Sequence, residues 1–176
     1  METINTIVKH FNEIFNALNA KNTGKVLSYL KQIPFQCSLN LLSQDNRRLR
    51  ELDEKHQHPK GVSRGEIYNF KITEGIGSEL SNNHLCIIIQ NTKGNIYSEK
   101  VNVVPMEGDG RNINPNYQMS IVNDDLIYGH LDKDPSRIIF SDILTYDKAR
   151  IGKKVGKVKP EKMKYLNDAI KKQLSL

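Results

Sequence analysis

At 176 residues, 38% of them hydrophobic and 26% charged, the chain has room for one ordinary domain and a modest accessory element, and its composition excludes wholesale disorder and the collagen and coiled-coil classes. The longest purely apolar run, Leu85–Ile89, falls far short of the roughly 20 residues of a membrane-spanning helix, and Met1 is followed by Glu2 rather than a basic-then-apolar leader, so a cytoplasmic protein with no membrane partner is expected. The net charge is +6, and Tyr146–Lys172 alone holds ten basic residues against three acids, a concentration that attracts polyanions or else forms a solvated lysine-rich face. Cys37 and Cys86 have no second Cys or His at a metal-ligand spacing, which predicts structural thiols and no metal site.

The first sixty residues read as helical. Ile4, Ile7, Val8, Phe11, Ile14, Phe15 and Leu18 recur at helical spacing until Asn19–Gly24 supplies a stop. A second helix runs from Thr23, a plausible cap, until Pro34 breaks it, and a third begins near Ser38 with Leu39, Leu42, Leu49 and Leu52. His56–Ser63, with Pro59 and Gly61, reads as a linker. The expected organisation is a helical extension over residues 1–60 and a second domain over 61–176.

Beyond the linker the pattern turns to strands: Glu66–Ile72, Leu85–Gln90, Lys100–Pro105, Gln118–Val122 and Arg137–Phe140, with glycines between or beside them. Short strands at close intervals predict a small barrel or strongly bent sheet. Leu144–Asp147 is read as a short helical turn and Lys153–Val158 as a basic strand. Pro160 then opens a final helix with the stripe Met163, Leu166, Ile170, Leu174. The fold class is α+β.

Four words in this order resemble the MazF/PemK toxins of bacterial toxin–antitoxin pairs. Arg64-Gly65-Glu66-Ile67-Tyr68 is similar to their RGDVY or RGEIW opening. Gly77-Ser78-Glu79, followed by His84 and Cys86–Asn91, is similar to GSEQxGxRPvlviqN. Gly94–Ser98 with Val103-Val104-Pro105 resembles GNxxSpt…vvPiT, and Thr145–Ile151 resembles RTiDKxRl. The resemblance covers about residues 62–176. It implies an SH3-like β-barrel with a C-terminal helix, a homodimer, a small cognate antitoxin as partner, and cleavage of single-stranded RNA at short sequences without metal or any other cofactor.

Cleavage of that kind needs a base for the ribose 2′-hydroxyl, a cation or donor set for the crowded phosphorane and an acid for the leaving 5′ oxygen. The family commonly uses an Arg before the second strand and a Thr or Ser after the next; this chain has His84 and Glu107 there. His84 can act as base, acid or imidazolium, or merely cap its strand. Glu107 can be the base paired with His84, or a solvated loop carboxylate. Ile139 and Ser141 stand where some relatives carry an Arg and an Asp, with Asp142 as a neighbour, and Leu144 replaces an Arg of the fourth word.

Ser78 and Glu79 match the loop that touches RNA in the family, or serve as turn and cap residues. Lys71, Lys93, Arg111, Lys153, Lys154 and Lys157 are phosphate contacts by charge, with Tyr97 and Tyr117 for base stacking; His130 reads as a surface histidine. The alternating charges of Asp45–His58 suggest either a built-in segment lying on the basic groove or a plain helical extension packed on the barrel. The leading function is a sequence-specific endoribonuclease toxin. The alternative is a non-enzymatic barrel that binds RNA or inhibits a protein, since toxins that poison DNA gyrase share the barrel.

Overall fold

The computed structural model describes residues 2–18 and 23–176. Eight strands form one sheet: β1 (Glu66–Phe70), β2 (His84–Ile88), β3 (Lys100–Gly108), β4 (Gln118–Ile121), β5 (Leu126–Gly129), β6 (Ser136–Ile139), β7 (Leu144–Asp147) and β8 (Ile151–Val158). Their order is β4-β6-β3-β2-β1-β8-β5, with β7 also on β3, and every pairing is antiparallel. β3 organises the curl. One edge pairs with β2, while the other is shared by β7 over Lys100–Val103 and β6 over Met106–Gly108.

Alternation buries both faces of this sheet. Ile67, Ile87, Val104, Met106 and Ile138 point into one cluster, closed by Met163 and Leu166 of α4 (Pro160–Gln173). Tyr68, Phe70, Cys86, Ile88, Val101 and Val103 point into the other, with Leu144 and Tyr146 packed against it. The expected curled antiparallel sheet, C-terminal helix and preceding helices are all present, and Pro160 occupies the first turn of α4 as read.

Local readings differ from the structure in four places. Pro34 lies inside a continuous helix, α2 (Thr23–Leu52), because a proline forfeits one backbone hydrogen bond and its neighbours can carry the helix past it. Leu144–Asp147 is a strand, since the open edge of β3 takes it up; the helical turn begins at Lys148, where the Asp147 side chain accepts from the Ala149 amide at 2.8 Å. β5 and α3 (Thr92–Tyr97) were not anticipated. The stop read at residues 19–24 lies, except for Thr23 and Gly24, outside the described residues.

The chain divides into two units, one ending at Cys37 and one running from Ser38 to Leu176. In the first, α1 (Glu2–Ala17) repeats Ile4, Ile7, Val8, Phe11 and Phe15 on one face and buries none of its residues. In the second, Leu39 is buried, Ser43 donates to Asp147 at 2.7 Å, and Arg47 reaches both oxygens of Glu99 at 3.1 Å. Among the described residues no helix is long and apolar enough to cross a membrane.

Candidate functional site

Register assembles the site. Leu85 pairs with Met106 and Glu107 with Arg137, so His84, one residue before Leu85 on an antiparallel strand, stands level with Glu107. Both line a cavity of about 450 Å³, together with Asn83, Gly108, Asp132, Lys133 and Ser136. His84 Nε2 lies 2.9 Å from the Ser81 carbonyl. A carbonyl only accepts, so Nε2 carries the hydrogen and the proton that imidazole exchanges sits on Nδ1.

Glu107 takes a different partner from the one its position suggested. Arg137 Nη2 and Nε both donate to Oε2, at 2.6 and 3.0 Å, and among the described residues Oε1 has no partner. The two proposed reactive groups therefore share a cavity, without a hydrogen bond between them. Arg137 and Lys133 escaped the sequence reading, because they reach the site through β6 and the loop before it, and no local word announces that pairing.

A second cavity of about 500 Å³ shares Asn83, Leu85 and Asp132 with the first and adds Asn69, His130, Lys153 and Lys154. Lys153 and His130 thus line the cavity next to that of His84 and Glu107. Lys154 is committed elsewhere: its ammonium donates to Glu66 at 2.7 Å and lies 5.5 Å from the Tyr68 ring centre. Burial pushes the Glu66 carboxyl up, but Lys154, the Ser63 amide and the Tyr68 hydroxyl outweigh it and leave the group below its ordinary value. The same burial, with Glu66 as neighbour, pushes the Tyr68 hydroxyl up to about 12.

Ser78 and Glu79 line a third cavity with Ser141, Asp142 and Tyr146, which has no lining residue in common with the other two. Glu79 accepts from the Ile76 amide at 2.8 Å, the geometry of a turn cap. Lys93 and Tyr97 lie on α3, before the start of β3, roughly 20 Å of strand from Glu107 at about 3.3 Å per residue. Arg111 follows the other end of β3. The Lys71 amide and carbonyl both bond to Arg150, at 2.8 and 2.9 Å; Tyr117 is exposed.

Half of the basic C-terminal stretch is structural. Lys148 is buried and donates to the Asn95 carbonyl at 2.6 Å. Arg150 is tied to Lys71, Lys154 to Glu66, Lys159 to the Asp124 carbonyl and Lys162 to Asp125. Lys153, Lys157, Lys164, Lys171 and Lys172 have no ion pair among the described residues. Nor does Asp45–His58 lie on this surface: Arg47 and Arg50 reach Glu99, the His58 amide donates to Ile96, and none of the three cavities is lined by residues 45–58.

Known proteins match this chain both in sequence and in fold. The family model of PemK-like, MazF-like toxins of type II toxin–antitoxin systems matches residues 63–174. An Endoribonuclease MazF from Staphylococcus saprophyticus is 35% identical over 115 residues, covering 65% of this chain and 92% of the relative. MazF from Deinococcus radiodurans superposes with a TM-score of 0.53 at 9% identity, over 66% of this chain and 99% of that one. A mycobacterial endoribonuclease gives a TM-score of 0.51 at 20% identity, over 66% and 94%. At such identities the structural likeness speaks for the fold, and the sequence matches carry the assignment: the chain belongs to the PemK-like, MazF-like toxin family of type II toxin–antitoxin systems.

Proposed function

We propose that the protein is a sequence-specific, metal-independent endoribonuclease that cuts single-stranded mRNA in the cytoplasm, works as a homodimer and is neutralised by a cognate antitoxin. The domain that does so spans residues 61–176, and residues 1–60 are a helical extension to it. One observation carries the chemistry: His84 and Glu107 line one cavity, each with an unengaged atom able to exchange a proton. Glu107 Oε1 takes the proton of the ribose 2′-hydroxyl as its oxygen attacks the adjacent phosphorus. The bond from phosphorus to the 5′ oxygen breaks, and that oxygen takes the proton from Nδ1 of the His84 imidazolium. The products are a 2′,3′-cyclic phosphate and a 5′-hydroxyl. Arg137 orients the carboxylate through two hydrogen bonds to Oε2, while Lys153 and the other unpaired lysines hold the flanking phosphates.

Each proton-transfer group contributes about 10²- to 10⁴-fold to such a rate. Cleavage of a long RNA by the purified chain is therefore expected to slow at least about 10²-fold in His84→Ala and in Glu107→Gln. Variants that cut at the parent rate would remove these residues from the reaction. Binding without cutting by the parent protein would favour a non-enzymatic RNA-binding barrel, a reading helped by the Arg137–Glu107 ion pair, which neutralises the carboxylate.

A further inference from the structure

We propose that Lys133 is the cation that stabilises the phosphorane, in the place left by the family's missing arginine; this rests on the endoribonuclease reading above. Lys133 lines the cavity of His84 and Glu107, and its backbone is clamped on both sides. Leu131 is buried in the core and its amide donates to Asn123 Oδ1 at 2.7 Å, while Asn123 Nδ2 donates to Asp134 at 3.0 Å. The Ser136 hydroxyl donates to the Lys133 carbonyl at 2.6 Å, and the Gly110 amide to the Pro135 carbonyl at 2.9 Å. Lys133 itself is exposed, between the buried Leu131 and Ser136 that anchor its loop.

The side chain then crosses Gly108, the residue after Glu107. A Cβ on residue 108 would overlap Cδ of Lys133 and stand 3.3 Å from its Cε, so the glycine leaves a channel along which the stem reaches the cavity. Among the described residues the ammonium makes no ion pair or hydrogen bond. Arg137 is held by Glu107 and Lys153 lines the adjoining cavity, so Lys133 is the unpaired cation that lines the cavity of His84 and Glu107 itself. During the transfer the phosphoryl group gains negative charge on its non-bridging oxygens, and an unpaired ammonium at the cavity stabilises that state more than the ground-state diester. Lys133 neither gains nor loses a proton; the bonds that form and break are those of the transesterification itself.

The test is single-turnover cleavage of an RNA oligonucleotide in EDTA by the full chain and its Lys133→Ala, Lys133→Arg and Gly108→Ala variants, with RNA affinity and thermal unfolding measured alongside. Lys133→Ala should lower the cleavage rate about 10²-fold with affinity changed only a few-fold, and Lys133→Arg should restore most of the rate. Gly108→Ala keeps the amine but pushes its flexible stem aside, so it should slow cleavage at least tenfold while the protein stays folded, roughly an oxyanion-site misplacement. An active parent with an equally active Lys133→Ala, or a loss confined to affinity, overturns the proposal alone. A parent that cuts nothing overturns the endoribonuclease reading and this one with it.

Discussion

Lys148 shows how far a residue's role can depart from its charge. In the sequence it belongs to the basic run that suggested a polyanion surface. In the fold it is buried against the Asn95 carbonyl, and burial, helped by Arg50, pushes its ammonium down to about 8 from an ordinary 10.5. Between those values the unfolded chain holds a proton that the folded chain has released, so stability rises with pH across that window and is lower below about 8. Urea unfolding should show the wild type gaining up to about 3 kcal/mol on Lys148→Met between pH 8 and 10.5; a difference that does not change with pH would contradict it. The shared cavity of His84 and Glu107 follows from the register of β2 on β3, and the family words mark both positions in the sequence. Arg137 was not legible there, since Glu107 meets it through a pairing of β3 with β6 that spans thirty residues.

At the scale of elements, polar contacts fix the last turns of α2 as much as apolar ones do. Glu99 receives Arg47 at both oxygens and Arg50 at 3.2 Å, Ser43 reaches Asp147, and Leu39 is the buried apolar residue of the helix. Because these ion pairs are exposed to solvent, their loss should loosen the helix locally rather than unfold the sheet. Glu99→Ala is expected to speed amide hydrogen exchange several-fold over residues 43–52 and leave β1, β2 and β3 unchanged; a rise through all three strands would contradict this. The reading of elements failed where the local signal was weak or ambiguous. β5 buries only Leu126 and so shows no alternation. α3 is six residues long, contains a glycine and depends on the Asn91 side chain, which accepts from the Gly94 amide at 2.8 Å. Pro34 signals a stop in the sequence, but in a helix of thirty residues the bond it removes costs about 3 kcal/mol and need not end the element.

For the molecule as a whole, the bent sheet and the terminal helix were legible because alternation and four family words agreed over residues 62–176, although β5 and β7 were not. The lines along which charge would act were not. Five of the ten basic residues between Tyr146 and Lys172 are held by partners inside the fold, and the Asp45–His58 segment meets Glu99 rather than a groove. What remains is a cavity where an imidazole, a carboxylate and an unpaired ammonium converge, flanked by a second cavity that carries Lys153 and His130. On the proposed function, these groups do the work of the arginine and hydroxyl that the resemblance leads one to expect. Mapping the fragment ends of a long single-stranded RNA incubated in EDTA, beside His84→Ala, tests this most directly. Discrete cuts with 2′,3′-cyclic phosphate and 5′-hydroxyl ends, lost in the variant, are expected; RNA that stays intact while its mobility shifts would contradict it.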